Sequence, residues 1–244
     1  MNAAVLVGHG SLRKASGAAM IRLAALLRKE GAFPVATAGF LNFSRPTFLD
    51  AVTRCALKGA TEIYVQPYFL ISGYYVTNGV PKLIAEAKQA YPHLTFHLAK
   101  AFDDHPALLG LTLKRIREAD PGADAVLLMA HGSPFEAANA PIWRVAEALK
   151  AHYPRVQLGF MEVNTPTIAD AAEALVGGGA KRVVAAPYFL QLGGHVAEDL
   201  PGAVGAARTV YPGTVFTLAD YLSYDPLLLG VVRTRLSEVQ PVPH

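Results

Sequence analysis

Two histidines and one glutamate in the C-terminal half have the residue types and the positions of a divalent-metal site. His131, Glu162 and His195 each come shortly after a short β-rich run. Imidazole and carboxylate suit divalent first-row metals, and three such ligands leave coordination positions open for a substrate. A lone histidine at a strand end is more often a hydrogen-bonded turn residue. The prediction therefore requires that all three side chains meet at one edge of a sheet.

The N-terminal half carries the same pattern in incomplete form. His9 stands at the position equivalent to His131, but Asn42 and Tyr75 replace the glutamate and the second histidine. We therefore predict that the C-terminal half keeps the metal chemistry. The N-terminal half is expected to supply the other wall of a cleft.

These equivalences come from an internal repeat. Pro67–Leu70 recurs unchanged as Pro187–Leu190, a displacement of 120 residues from position 67 to position 187. The same displacement relates further pairs: Pro46-Thr47 with Pro166-Thr167, Asp50-Ala51 with Asp170-Ala171, and Tyr91-Pro92 with Tyr211-Pro212. The copies meet near a turn-forming Asp-Pro-Gly sequence at residues 120–122. We predict two domains, residues 1–120 with a degenerate metal site and residues 121–244 with the intact one.

The fold class follows from the alternation of short β-rich runs with helical patterns. In the second copy the predicted strands are Ala125–Ala130, Val156–Met161, Arg182–Ala186 and Thr214–Leu218. The predicted helices are Ile142–Ala151, Thr167–Val176, Leu200–Val210 and Pro226–Val239. This order predicts an α/β protein of two similar βαβ-type domains, each with a four-stranded, mainly parallel sheet flanked by helices on both faces. Ligands of such sheets bind beyond the carboxyl ends of the strands, where the three candidate ligands lie.

Serines and glycines beside the candidate ligands are predicted to contact the substrate. Ser11 and Ser133 follow His-Gly pairs and either cap a helix or bind an anion. Gly193 and Gly194 precede His195, and a residue without Cβ lets the backbone approach a ligand closely.

Basic residues of the first copy could bind acidic groups of a substrate. Arg13, Lys14 and Arg45 fall in predicted loops, where they either pair with substrate carboxylates or are solvated surface charges. The formal net charge of +3 is too small, and the basic residues too scattered, to indicate nucleic acid as a partner. An acidic small molecule is compatible with both observations.

Composition indicates a globular protein without a membrane span. The chain has 244 residues, 52% of them hydrophobic, which is enough for one large core or two ordinary ones. Its apolar runs are far shorter than the roughly 20 residues that cross a bilayer. The first residues resemble a strand rather than a secretion signal, so we expect a cytoplasmic protein. The single cysteine, Cys55, excludes an intrachain disulfide and a thiolate metal cluster.

The order of the motifs resembles the sirohydrochlorin chelatases, which are class II chelatases. The resemblance is carried by residues 7–11 (VGHGS), 160–168 (FMEVNTPTI), 187–190 (PYFL) and 194–196 (GHV), and it spans nearly the whole chain. It implies insertion of a divalent metal into an acidic tetrapyrrole without nucleotide hydrolysis. The two-copy form implies a cobaltochelatase of cobalamin biosynthesis, acting as a monomer or homodimer.

The same resemblance implies roles for individual residues. The metal-binding histidines of the family match His131 and His195, its acidic site residue matches Glu162, and His9 matches a further family histidine. We take these four as the candidate catalytic residues. The metal is expected as a substrate, with Co²⁺ as the first candidate and Fe²⁺ or Ni²⁺ as alternatives, and no organic cofactor is expected.

Three other functions compete with this prediction. One is a ferrochelatase for sirohaem synthesis, and a second is a non-catalytic carrier of tetrapyrrole or metal. A histidine-dependent phosphatase is disfavoured because it needs an arginine before the histidine, where Gly8 and Ala130 stand.

Overall fold

Short strands alternate with helices along residues 1–11, 17–161 and 163–240, the ranges that the computed structural model describes. Three residues singled out above, Arg13, Lys14 and Glu162, lie outside these ranges.

Strands of the described residues form two parallel sheets. They are β1 (Asn2–Gly8), β2 (Val35–Phe40), β3 (Glu62–Pro67), β4 (Thr95–Leu98), β5 (Ala125–Ala130), β6 (Arg155–Phe160), β7 (Arg182–Pro187) and β8 (Val215–Leu218). One sheet has the order β2-β1-β3-β4 and the other β6-β5-β7-β8, with neighbouring strands parallel throughout. The predicted α/β class, with one four-stranded sheet in each copy, is confirmed.

Helices flank both sheets. They are α1 (Ala18–Lys29), α2 (Phe48–Leu57), α3 (Val80–Ala90), α4 (Pro106–Ala119), α5 (Glu136–Leu149), α6 (Ile168–Gly177), α7 (Leu200–Val210) and α8 (Pro226–Ser237). Two single π-helical turns, π1 (Tyr75–Gly79) and π2 (His195–Asp199), lead directly into α3 and α7. The central strand β5 is buried at every residue, as helices on both faces of a sheet require. None of the helices in the described ranges has the length and apolar character needed to cross a membrane.

The chain packs as two compact units that each contain a helix from the other repeat. The first unit comprises Met1–Asp103 and the segment from Tyr224 onward, so it contains α8. The second comprises Asp104–Ser223 and contains α4. The predicted domains, 1–120 and 121–244, follow the repeat in the sequence, whereas these units follow packing.

The same local device begins α2 and α6. The hydroxyl of Thr167 accepts a hydrogen bond from the Asp170 N–H at 3.2 Å, and the Asp170 carboxylate accepts one from the Thr167 N–H at 2.9 Å. Thr47 and Asp50 form the same capping box in the first copy. Hydrogen bonds within the box favour the ionised carboxylates, so the pKa of Asp50 and that of Asp170 lie below the usual value for aspartate. The main cause is the Thr47 N–H for Asp50 and the Thr167 side chain for Asp170.

The predicted start of α5 was wrong. The helix begins at Glu136 rather than Ile142 and includes Pro141, which cannot donate a backbone hydrogen bond. Burial of one apolar face, with Ala138 and Val145 among its residues, outweighs that local preference.

Cys55 is a free cysteine at the buried face of α2. Burial raises the pKa of its thiol to about 11. The thiol is therefore protonated at neutral pH and packs as a small hydrophobic group, as expected.

Candidate metal site in the C-terminal half

His131 directly follows β5, and its own backbone turn orients the ring. Its Nδ1 donates a hydrogen bond to the Gly132 carbonyl over 3.0 Å. Because a carbonyl oxygen only accepts, this tautomer carries its proton on Nδ1 and its lone pair on Nε2. The turn needs glycine: Gly132 has a φ of +85°, and a Cβ there would collide with the Asn164 side chain.

His195 is the first residue of π2 and directly follows Gly193 and Gly194. Its Nδ1 donates to Oδ2 of Asp199 over 2.7 Å. The lone pair of the neutral ring is again on Nε2, the usual ligating atom when the other nitrogen is hydrogen-bonded.

The structure brings His131 and His195 together. Their ring centroids are 5.0 Å apart, with an angle of 65° between the planes. Two imidazoles that share an ion at about 2.1 Å from each Nε2, with an angle of about 90° to 110° at the metal, have centroids about 4.5 to 5.3 Å apart. The observed separation falls within that interval, which is a requirement for binding one ion between the two rings.

The third predicted ligand, Glu162, lies outside the described ranges. Among the residues inside them, no group of three or more His, Cys, Asp and Glu side chains could hold a metal. The described part of the candidate site thus consists of the two imidazoles and the groups that orient them.

Asn164 connects the loop after β5 to the loop after β6. Its Oδ1 accepts a hydrogen bond from the Ser133 N–H over 2.8 Å. Ser133 is buried, and its hydroxyl accepts a hydrogen bond from the Phe135 N–H just before α5. Ser133 was predicted to cap a helix or bind an anion, but the N-cap residue of α5 is Phe135, so Ser133 bonds to the residue just before the helix. Through Asn164, the loop that carries His131 is hydrogen-bonded to its neighbour.

A cavity of about 800 Å³ opens beside the loop after β6. Trp143 and Phe160 form its aromatic wall, with their rings at 5.7 Å and nearly perpendicular. Asn139 and Asn164 are among its polar lining residues. Concave sites with aromatic walls and a few polar groups are typical of small-molecule binding.

At the equivalent place in the first copy, aromatic rings surround the histidine. His9 keeps the Nδ1 hydrogen bond to its neighbouring carbonyl, that of Gly10, at 3.0 Å. Its ring lies 4.6 Å from that of Tyr75 and 5.7 Å from that of Phe43. A phenol thus stands where the second copy has its second imidazole.

The remaining predicted substrate contacts lie in loops. Ser11 exchanges hydrogen bonds with the Ser44 hydroxyl through its backbone N–H and carbonyl, both at 2.9 Å. Arg45 is exposed and pairs with Asp50 at 2.9 Å. A Cβ at Gly193 or Gly194 would meet open space, so folding of the chain does not require glycine at either position.

Sequence reasoning missed Asp199 and Asn164. The spacing of His195 and Asp199, four residues apart in a helical segment, was a signal for the first. Asn164 carried no such signal, because its partner is a backbone N–H 31 residues away.

Both halves of the chain match the model of one protein family. The model of the CbiX family matches the chain twice, over residues 3–119 and 125–239. A sirohydrochlorin cobaltochelatase of Priestia megaterium is 29% identical over 246 aligned residues, covering 98% of this chain and 80% of that protein. The chloroplastic sirohydrochlorin ferrochelatase of Arabidopsis thaliana is 34% identical over 116 residues, covering 47% of this chain and 52% of that protein.

A solved structure shares the whole arrangement of elements. SirB from Bacillus subtilis, solved with Fe³⁺, superposes with a TM-score of 0.84 at 21% identity and covers 98% of this chain and 95% of its own. Likeness at this identity shows that the fold is the same.

Proposed function

The chain belongs to the CbiX family, with one family repeat in each half, and on that premise we propose that it is a chelatase that inserts Co²⁺ into sirohydrochlorin without nucleotide hydrolysis. The observation that carries the proposal is the approach of His131 and His195, whose ring centroids are 5.0 Å apart beyond the carboxyl ends of β5 and β7. Both rings have the tautomer that presents Nε2 to a metal.

Metal insertion exchanges two pyrrole N–H protons for one divalent ion. In the proposed reaction the two imidazoles hold a partly hydrated Co²⁺ and release it to the ring nitrogens as these lose their protons. Glu162 serves as a third ligand or accepts a ring proton as general base. His9 is a further candidate for proton transfer.

The carboxylates at the periphery of the substrate would be bound by positive and hydrogen-bonding groups of the protein. Arg13 and Arg45 are proposed to neutralise its carboxylates, because charge-assisted hydrogen bonds are the strongest available to them. Ser11, Ser133, Gly193 and Gly194 are proposed to contact the substrate through the loops that carry them. The exposed ring of Trp143, on the wall of the cavity beside the loop after β6, is proposed to pack against the conjugated ring of the substrate.

Iron is the alternative metal. The Arabidopsis relative is named a ferrochelatase, and SirB was solved with Fe³⁺. Imidazole and carboxylate suit both ions, so ligand chemistry alone does not choose between them.

An absorption assay tests the proposal. Purified protein is mixed with sirohydrochlorin and either Co²⁺ or Fe²⁺, and the spectrum of the metallated ring is followed against the spontaneous reaction. We expect acceleration with Co²⁺ that exceeds the acceleration with Fe²⁺. Faster insertion of iron would make the protein a ferrochelatase, and no acceleration by either metal would contradict the proposal.

Two variants locate the chemistry. His195→Ala should lower the rate more than about 100-fold, since removing even a group that supports a ligand costs about 10- to 100-fold. Tyr75→Phe, the matched change in the first copy, should alter the rate less than about threefold, because Tyr75 lacks the imidazole that the metal chemistry uses. Equal losses in both variants would contradict the assignment to the C-terminal half.

A further inference from the structure

We infer that Asp199 is a positioning residue for His195: its carboxylate fixes the imidazole in the tautomer and rotation that present Nε2 to the metal. The inference rests on the proposed function and names a residue that acts through His195 rather than on the substrate. Hydrogen-bonded partners of this kind orient metal-ligating histidines and raise their basicity.

The geometry of the pair is that of a directed hydrogen bond. The distance from Nδ1 of His195 to Oδ2 of Asp199 is 2.7 Å, which is short for an N–H···O bond. A carboxylate has no proton to give, so Nδ1 is the donor and the lone pair of the neutral ring is on Nε2.

Stability does not explain the pair. The two side chains retain 39% and 58% of their exposure, and ion pairs this exposed contribute little to folding. A short, directed contact between exposed groups that adds little to stability points to a role in function.

The first copy provides an internal comparison. It has the same π-helical turn, π1, but its ends are Tyr75 and Gly79, at the positions of His195 and Asp199. The turn therefore forms without the carboxylate, and the carboxylate is missing where the imidazole is missing. This pattern is expected if Asp199 orients the ring of His195 rather than stabilising the backbone of the turn.

The positions of His195 and Asp199 in π2 also support the proposed role of Asp199. His195 and Asp199 are the first and last residues of π2, whose end continues directly into α7. Single π-turns occur often at functional sites. Asp199 is also the N-cap residue of α7, so the start of the helix places its carboxylate beside the ring.

The test compares three variants with the wild type in tautomer, Co²⁺ affinity and unfolding midpoint. Asp199→Ala removes the acceptor, Asp199→Asn keeps an acceptor oxygen without the charge, and Glu198→Gln removes one negative charge from the adjacent residue while Asp199 stays in place. The ¹⁵N resonances of His195, identified by their loss in His195→Ala, report the tautomer of the metal-free protein. Titration with Co²⁺ alone, followed by its visible absorption, reports the affinity.

We expect Asp199→Ala to lose the Nδ1-protonated tautomer and to bind Co²⁺ about 10- to 100-fold more weakly. Asp199→Asn should keep the tautomer with a smaller loss of affinity, and Glu198→Gln should match the wild type in both. Unfolding midpoints should agree for all four proteins.

Wild-type tautomer and affinity in Asp199→Ala would overturn the inference. So would an equal loss of affinity in Glu198→Gln, because the effect would then come from net charge. The tautomer measurement needs neither metal nor tetrapyrrole, so it separates the two claims: if Asp199 controls the tautomer but the wild type inserts no metal, the proposed function fails and the positioning role is supported.

Discussion

The two histidines of the candidate site are oriented by different partners. The Nδ1 atom of His131 is held by the carbonyl of the next residue, and His9 has the same arrangement. His195 is held by a side chain, Asp199. A point mutation can therefore change the orientation of His195 directly, whereas the orientation of His131 depends on the backbone turn.

The backbone requires glycine at the turn after β5 but not in the loop before π2. Gly132→Ala should lower the free energy of unfolding by more than about 1 kcal/mol, because φ is positive there and the new Cβ would displace Asn164. Gly193→Ala, the matched control, should stay within about 0.5 kcal/mol of the wild type, since its Cβ would meet open space. Urea unfolding measures both values. Equal destabilisation would show that the turn does not constrain residue 132.

The Asp120 carboxylate makes part of the stability dependent on pH. The hydrogen bond from Arg182, at 2.9 Å, is the main reason that the pKa of Asp120 lies below its usual value of 3.8. A lowered pKa in the folded state stabilises the protein above the unfolded value, and this contribution is lost as the pH falls through the folded value. Asp120→Asn should therefore cost about 1 kcal/mol at pH 7.

The difference between wild type and Asp120→Asn should narrow as the pH falls below the unfolded value of 3.8. Unfolding curves recorded across that range measure it. A difference that stays constant with pH would mean that the charge of Asp120 contributes nothing.

At the scale of elements, short local structures determine where the helices after β2, β3, β6 and β7 begin. The capping boxes of α2 and α6 define those starts in both copies. The π-turns do the same for α3 and α7, placing Tyr75 and His195 at equivalent positions.

The cap of α6 should be measurable by itself. Thr167→Ala removes the hydroxyl that accepts from the Asp170 N–H and should cost about 1 kcal/mol of stability. Thr167→Ser keeps the hydroxyl and should recover most of the loss. Thermal unfolding of both variants tests this, and an equal effect of Ala and Ser would exclude the cap as the cause.

Sequence reasoning recovered the strands of the second copy and, among its helices, missed one start by several residues. The predicted strand Ala125–Ala130 matches β5 because a continuous apolar run buried on both faces has few alternatives. The start of α5 at Glu136 was missed because Pro141 argues against a helix locally, and only burial in the folded protein overrides it. Neither π-turn was foreseen, since no residue pattern specifies one.

At the scale of the whole molecule, the repeat predicted two similar sheets, and that prediction is confirmed. It did not predict that α4 and α8 pack in the compact unit of the other repeat, because a repeat records similarity and not contacts. The approach of His131 and His195 was predictable, since parallel strands bring their carboxyl ends to one edge. Asp199 was not predicted, although its spacing of four residues from His195 was a signal once that segment is taken as helical.

The central claim is that one ion binds between two imidazoles of the second copy. A crystal structure of the protein with Co²⁺, using anomalous scattering at the cobalt edge, tests it most directly. We predict an ion about 2.0 to 2.3 Å from Nε2 of both His131 and His195. An ion bound only beside His9, or held by just one of the two C-terminal imidazoles, would contradict the claim.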